Sequence, residues 1–119
     1  MPDLTIDSVP GSRQGVHILK LAGPFTLANI FEFQEIARTG RPEVLIVDLT
    51  GVPFMDSAAL GALLGLHVSC QRDHRQYALT GVADRIKTMF AVAGVDSLLV
   101  TRDNTPEAEE EFEEDVAGA

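Results

Sequence analysis

The chain is organised around the stretch Val44–Cys70, which reads VLIVDLTGVPFMDSAALGALLGLHVSC. Its first four residues form an apolar run with little alternation, which is typical of a strand buried on both faces of a sheet. A connection punctuated by a glycine and a proline follows, and the apolar spacing from Ala58 to about Arg72 predicts a helix. Ser57 directly precedes this helix, where its hydroxyl is expected to cap the first turn. The stretch therefore predicts a strand, a turn and a helix that converge on one exposed hydroxyl.

The predicted helix has two contrasting faces. On a helical wheel of about 100° per residue, one arc is expected to pack on the sheet, and it contains Ala59, Leu60, Leu63, Leu66, His67 and Cys70. The opposite side, called here the docking face, contains Ser57, Gly61, Leu64, Gly65, Val68 and Arg72. This face is small and smooth and lacks the carboxylates that a solvated helix face usually carries. We therefore expect it to bind a partner, with the serine at its N-terminal edge.

The residues around Ser57 resemble the signature of the STAS domain family, in particular of the bacterial anti-sigma factor antagonists. The similarity is carried by the run Val-Asp-Leu-x-Gly-Val-x-Phe-Met-Asp-Ser-Ala-Ala-Leu-Gly-Ala-Leu-Leu and extends over residues 4–112. It implies a small α/β domain whose serine is phosphorylated by a partner anti-sigma kinase, with Ser57 as that serine and Asp56 as the acidic residue before it. The chain departs from the pattern in two places. Many members have a second serine where this chain has Ala58, and many carry an aspartate in the turn that here reads Gly-Pro-Phe-Thr, residues 23–26.

The turn at residues 23–26 supplies two more candidate residues. Thr26 is expected to cap a helix over Leu27–Arg38, whose apolar side includes either Phe31 or Phe33. Phe25 has two interpretations, of which a side chain in the core is the more ordinary. The resemblance places this turn beside the phosphorylatable serine, which makes Phe25 and Thr26 candidate partner contacts.

The rest of the chain alternates between strand and helix patterns. Strands are expected at Leu4–Val9, Val16–Ala22, Gln76–Gly81 and Leu98–Val100, and a helix at Ala83–Ala93. Thr105 begins a further, acidic helix in which Ala108 and Phe112 are spaced to pack on the domain. We therefore expect one α/β domain over residues 1–119, with a mixed sheet of about five strands packed against helices and an acidic helix and tail from about residue 105. The resemblance supplies the STAS-like topology.

Composition and charge limit the classes of function that we expect for this chain. The formal net charge is −9, but seven of the 18 acids lie in residues 105–119, where no lysine or arginine occurs. Because the chain has no basic stripe, we expect no nucleic-acid partner. No apolar run approaches the ~20 residues of a membrane span, so we expect no membrane insertion. The single cysteine and an N-terminus without the features of a signal peptide predict a cytoplasmic protein.

An enzymatic role for Ser57 finds little support in the sequence. A serine nucleophile needs a base within hydrogen-bond reach, yet His67 lies ten residues further along the helix, a rise of about 15 Å, and on the sheet-facing side. The Gly-x-Ser-x-Gly elbow is absent, as are a phosphate-binding loop and any cysteine–histidine cluster with metal-ligand spacing. We therefore expect no enzyme, and no catalytic residue, cofactor or metal in this chain.

Phosphorylation suits Ser57 better, because a phosphate at a helix N-terminus meets free N–H donors and the favourable end of the dipole. The expected function is an anti-sigma factor antagonist that binds a kinase-type anti-sigma factor while Ser57 is free and is released by its phosphorylation. The kinase would supply Mg-ATP, and a serine phosphatase is a second candidate partner. Two alternatives stay open: Ser57 as a helix cap alone, and a STAS subunit of a larger assembly, such as a stressosome-like complex or a lipid-trafficking ABC transporter. Ser97, in a second Asp-Ser pair, precedes a predicted strand and is not expected to be a phosphorylation site.

Overall fold

One mixed sheet runs through the domain in the computed structural model, which describes residues 3–40 and 42–117 and, in the last helix, side chains only as far as residue 111. Its five strands lie in chain order: β1 (Thr5–Pro10), β2 (Val16–Ala22), β3 (Val44–Gly51), β4 (Gln76–Thr80) and β5 (Thr101–Arg102). β1 is antiparallel to β2, and the other neighbouring pairs are parallel. The predicted α/β class with a mixed sheet of five strands is confirmed.

Four helices cover the two faces of this sheet. They are α1 (Ile30–Arg38), α2 (Ser57–Arg72), α3 (Asp84–Val92) and α4 (Thr105–Ala117). The first three contribute buried side chains such as Phe33, Leu63 and Phe90 to the main core cluster. α4 contributes Ala108, which has no accessible surface, to a smaller cluster on the opposite side of the sheet. The long α2 thus lies on the face that holds most of the core.

The central strand β3 explains why both faces need a cover. Side chains alternate between the two faces of a strand, and Leu45 and Val47 belong to the main cluster whereas Val44 and Ile46 belong to the cluster under α4. All four side chains are at least 96% buried. The prediction from the sequence of a strand buried on both faces is confirmed.

The acidic helix α4 is held to the domain by polar contacts as well as by Ala108. The guanidinium of Arg102 forms a two-pronged ion pair with Glu111, and its Nη2–Oε1 distance is 2.7 Å. Glu109 accepts a hydrogen bond from the backbone N–H of Ser12 at 2.8 Å. The predicted packing of Ala108 is confirmed, whereas the side chain of Phe112 lies outside the described residues.

Two predicted element boundaries are wrong. The first helix begins at Ile30 rather than Leu27, because a separate turn precedes it, in which the N–H of Thr26 donates to Asn29 Oδ1 and the N–H of Ala28 donates to Thr26 Oγ1. Thr26 therefore does not cap the helix. The segment 98–100 is not a strand, since the N–H groups of Leu98 and Leu99 donate locally to the carbonyl of Val95, and β5 starts at Thr101, directly after this segment.

A buried polar pair joins α2 to β4. His67 Nδ1 lies 2.7 Å from the Tyr77 hydroxyl, which also accepts the backbone N–H of Val100 at 3.1 Å. Burial raises the pKa of Tyr77, so the phenol stays protonated at physiological pH. His67 is thus placed on the sheet side, as predicted, where it serves the packing of α2.

None of the helices within the described residues has the length and apolar character needed to cross a membrane.

Candidate functional site

Ser57 is the first residue of α2, and its side chain is exposed at the end of the connection that follows β3. The predicted cap at Ser57 is wrong by one residue: Asp56 is the N-cap, and its carboxylate accepts a hydrogen bond from the N–H of Ala59. Aspartate and serine are both good caps, and here the extended backbone at Asp56 directs its side chain toward the first turn. The Ser57 hydroxyl therefore does not cap the helix.

The carboxylate of Asp56 joins two separate segments of the chain. Oδ1 accepts the N–H of Ala59 at 2.9 Å, and Oδ2 accepts the N–H of Leu27 at 3.0 Å. Burial by itself would raise the pKa of Asp56, but the donors of Ala59, Leu27 and Ala58 stabilise the charged form and bring the pKa below its ordinary value of 3.8. Asp56 is therefore ionised at neutral pH and fixes the turn at residue 27 against the start of α2.

Backbone pairing strengthens this junction. Phe25 forms an isolated parallel bridge with Met55, with its N–H donating to the carbonyl of Phe54 and its carbonyl accepting the N–H of Asp56. Gly23 has a φ of +111°, and a Cβ there would lie 2.7 Å from the carbonyl oxygen of Asp3, so the turn requires glycine. The turn at residues 23–26 thus lies beside Ser57.

The Phe25 side chain belongs to the core. It has no accessible surface, and its ring centroid lies 5.0 Å from that of Phe33. The partner contact that we expected from Phe25 is therefore corrected, because a side chain enclosed in this way presents nothing to another protein. Thr26 is half-buried and remains at the surface of the turn.

The two predicted faces of α2 are present in the structure. All six residues of the predicted sheet-facing arc are buried, together with Ala62, which the wheel did not include. On the docking face, Gly61 and Gly65 are exposed and 60% of the Val68 surface is accessible. Leu64 is only half-exposed and also packs against the main core cluster. Val68 is therefore the apolar residue that this face presents most fully.

Two exposed apolar side chains near Ser57, and a third on α1, were not predicted from the sequence to lie at the surface. Leu27, Phe31 and Phe54 are 62%, 73% and 46% accessible. The hydrogen bond from the N–H of Leu27 to Asp56 places Leu27 at the edge of the site, and Phe54 lies there because it is three residues before Ser57. One signal was available in the sequence: residues 31 and 33 cannot share a helix face, and Phe33 proves to be the buried one.

No cluster of three or more histidine, cysteine, aspartate or glutamate side chains within the described part of the chain could hold a metal ion. Chemically, the site consists of an accessible hydroxyl, a fixed carboxylate beside it and two exposed apolar side chains, Leu27 and Phe54, whereas Val68 lies further along α2, a rise of about 16 Å from Ser57. We call Leu27 and Phe54 the apolar rim.

This geometry defines a class of protein. Its members are α/β domains with an exposed serine at the start of the helix that follows the central strand. Residues 11–108 match the STAS domain family, and the chain belongs to that family. The anti-sigma-B factor antagonist of Listeria monocytogenes is 29% identical over 75 residues, which cover 63% of this chain and 66% of that relative.

Solved structures share the fold. The anti-sigma factor antagonist SpoIIAA in its unphosphorylated form aligns with a TM-score of 0.67 at 17% identity, over 98% of this chain and 100% of that one. The Bacillus cell fate determinant SpoIIAA in its phosphorylated form aligns with a TM-score of 0.71 at 15% identity, over 91% of this chain and 99% of that one. At these identities the similarity establishes the fold.

Proposed function

We propose that this chain is an anti-sigma factor antagonist that binds a kinase-type anti-sigma factor while Ser57 is unmodified and is released when Ser57 is phosphorylated. The observation that carries the proposal is the exposed Ser57 hydroxyl at the first residue of α2, next to the apolar rim. The names of the Listeria relative and of the SpoIIAA structures support the antagonist role, and a phosphorylated form of SpoIIAA has been solved.

The capping arrangement leaves Ser57 available for modification. Because Asp56 caps the helix, a kinase can phosphorylate the hydroxyl without removing a hydrogen bond that α2 needs. The phosphate would lie at a helix N-terminus, where the dipole favours negative charge, and would be opposed by the neighbouring Asp56 carboxylate. We therefore expect the domain to keep its fold after modification, so that the switch acts on binding.

The two glycines of the docking face support a partner there. Glycine within a helix costs up to about 1 kcal/mol relative to alanine. Among the described residues, however, a Cβ built at Gly61 or Gly65 would meet no atom within 4 Å beyond its own stretch of helix. Packing inside the domain therefore gives no reason for either glycine. Glycine does allow another chain to approach the helix backbone closely, between Val68 and the serine.

The charge added by phosphorylation provides the release. A phosphoserine carries about −1.5 to −2 charges at neutral pH, and a partner seated on the docking face would enclose it next to the ionised Asp56. Enclosing charge without matching cations costs several kcal/mol. Since each 1.4 kcal/mol changes a dissociation constant about tenfold, the modification is expected to weaken binding by orders of magnitude.

The proposal is tested by incubating the chain with the anti-sigma kinase of its own genome and Mg-ATP, and mapping phosphate by mass spectrometry. We expect one phosphate, on Ser57, and none on Ser57→Ala. Ser97→Ala is the matched control, because Ser97 is equally exposed in an Asp-Ser pair but lies in a turn after α3, and this variant should be phosphorylated like wild type. A phosphate on another residue contradicts the proposal.

The alternative of a STAS subunit in a larger assembly predicts a different result. A permanent subunit of a stressosome-like complex or a transporter would stay bound after Ser57 is fully phosphorylated. The phosphorylated chain would then elute with its partner on size exclusion, whereas the proposed switch predicts that it elutes alone.

A further inference from the structure

A cleft of about 280 Å³ opens between α1 and α2. Its apolar wall includes Phe33 and Leu66, and its polar lining includes Ser69 and three arginines, Arg38, Arg72 and Arg75. The residues come from the C-terminal part of α2 and the loop after it, together with α1, so the cleft lies toward the opposite end of α2 from Ser57. It contains neither residue of the apolar rim, but it shares Gly65 and Arg72 with the docking face.

The charge of the cleft is opposite to that of the chain. The protein has 18 acids and nine lysines and arginines. Three of these nine cations line the cleft, whereas no aspartate or glutamate among the described residues does. Arg72 pairs with the exposed Asp73 at 3.3 Å. Among the described residues, neither Arg38 nor Arg75 forms an ion pair. Two guanidinium groups therefore line the cleft without an ion-paired carboxylate in the part of the chain that the structure describes.

Arg75 also has an unsatisfied donor. Its Nε atom is buried and finds no hydrogen-bond partner within the described part of the chain, and its Nη1 reaches the carbonyl of Pro42 only at 3.5 Å. A buried donor without an acceptor costs about 1–3 kcal/mol. An anion in the cleft would offer acceptor oxygens to this guanidinium group.

Interaction with helix dipoles explains only part of the cluster. Arg38 and Arg72 lie in the last turns of α1 and α2, where a cation is favourable. Arg75 lies beyond α2, and the dipole effect does not require the three side chains to line a common cleft with an apolar wall.

We infer that the cleft binds a phosphate monoester that carries a small apolar group. Guanidinium groups bind phosphate oxygens in a bidentate geometry. Three guanidinium groups therefore match a phosphate monoester, which has three terminal oxygens and nearly two negative charges. The hydroxyl of Ser69 can donate a further hydrogen bond. Because Phe33 and Leu66 are almost fully buried, the exposed Gly65 backbone and the methylene groups of Arg38 and Arg72 would make most of the contact with the apolar part. The site does not involve Ser57, and its test uses the chain alone, although Gly65 and Arg72 belong to both the cleft and the docking face.

Phenyl phosphate is a suitable probe, added to the ¹⁵N-labelled chain alone and followed by NMR. We expect saturable shifts of the amide signals of Gly65, Ser69 and Arg75. Orthophosphate, which has the charge without the ring, should bind at least threefold more weakly. Arg38→Gln should weaken phenyl phosphate binding at least tenfold. Arg85→Gln removes the same charge from an exposed position on α3 and should leave the dissociation constant unchanged.

Three results would overturn the inference: no saturable shift, an unchanged dissociation constant in Arg38→Gln, or an equal loss in Arg85→Gln, which would indicate unspecific attraction. Equal affinity for orthophosphate would overturn the apolar part of the assignment. Because Arg38 is exposed, its substitution leaves the core intact. Arg75→Gln is a second variant for the same measurement.

Discussion

Substitutions of Asp56 can measure separately the two hydrogen bonds that hold the serine site in place. Its two carboxylate oxygens accept the N–H groups of Ala59 and Leu27. Asparagine has a single side-chain oxygen, so Asp56→Asn can keep only one of these bonds, and asparagine is itself a good helix cap. Asp56→Ala removes both. The pair of variants thus measures the contact with the turn at residue 27 separately from the cap.

The expected magnitudes follow from these contacts. A hydrogen bond to a charged group contributes about 1.5–3 kcal/mol, and the lower end applies because Asp56 is only half-buried. A helix cap contributes about 1 kcal/mol. We therefore expect Asp56→Asn to lower the free energy of unfolding by about 1.5 kcal/mol and Asp56→Ala to lower it by about 2.5 kcal/mol.

Urea unfolding followed by circular dichroism provides the measurement. Asp96→Ala, in the second Asp-Ser pair, is the matched control because Asp96 is exposed in a turn and does not begin a helix. It should change the free energy by less than about 0.5 kcal/mol. If Asp56→Ala is as stable as Asp96→Ala, Asp56 does not join the two segments in solution.

The pH dependence gives a second measure of the same contact. Burial opposes the charge of Asp56, but the backbone donors prevail and bring its pKa below the ordinary value of 3.8. A carboxylate with a lowered pKa stabilises the fold above the pKa of the unfolded chain and loses that contribution as the pH falls through its folded pKa. The difference between wild type and Asp56→Asn should therefore be full at pH 7 and shrink below about pH 3.8. A difference that grows with acid would contradict this assignment.

Further predictions test the faces of α2, the last helix and the buried polar pair. Val68→Glu should abolish partner binding, measured by calorimetry, and keep the wild-type melting temperature. Leu63→Glu should instead unfold the domain because it buries an unpaired charge. Equal melting temperatures of the two variants would contradict the assignment of the faces. Deleting residues 105–119 should lower the free energy of unfolding in urea by more than about 2 kcal/mol, because the second face of the sheet loses its cover. Deleting residues 115–119 should change this free energy by less than about 0.5 kcal/mol. Tyr77→Phe should lower it by about 2 kcal/mol, because the histidine and a backbone N–H lose their partner, and an unchanged value would show that water replaces the hydroxyl.

The sequence predicted the parts of the fold that depend on hydrophobic periodicity. The uninterrupted apolar run of β3 identified a strand covered on both faces, and the spacing along α2 separated its buried arc from the docking face. Both signals are strong because burial constrains every residue of the element.

Details decided by hydrogen bonds and by tertiary contacts were not predictable in the same way. Asp56 and Ser57 are both suitable caps and adjacent, so only the backbone conformation decides between them. Leu27 has the apolar character of a core residue, yet the Thr26–Asn29 turn directs it to the surface. The docking face was thus predicted from the chain, whereas the apolar rim required the structure.

The central claim is that phosphate on Ser57 controls binding. The most direct test is calorimetric titration of the kinase-type anti-sigma factor with the unmodified chain and with the same chain phosphorylated stoichiometrically on Ser57. We predict that phosphorylation weakens binding at least 100-fold, which corresponds to about 2.8 kcal/mol, while the circular dichroism spectrum stays unchanged. Equal affinity of the two forms would contradict the account.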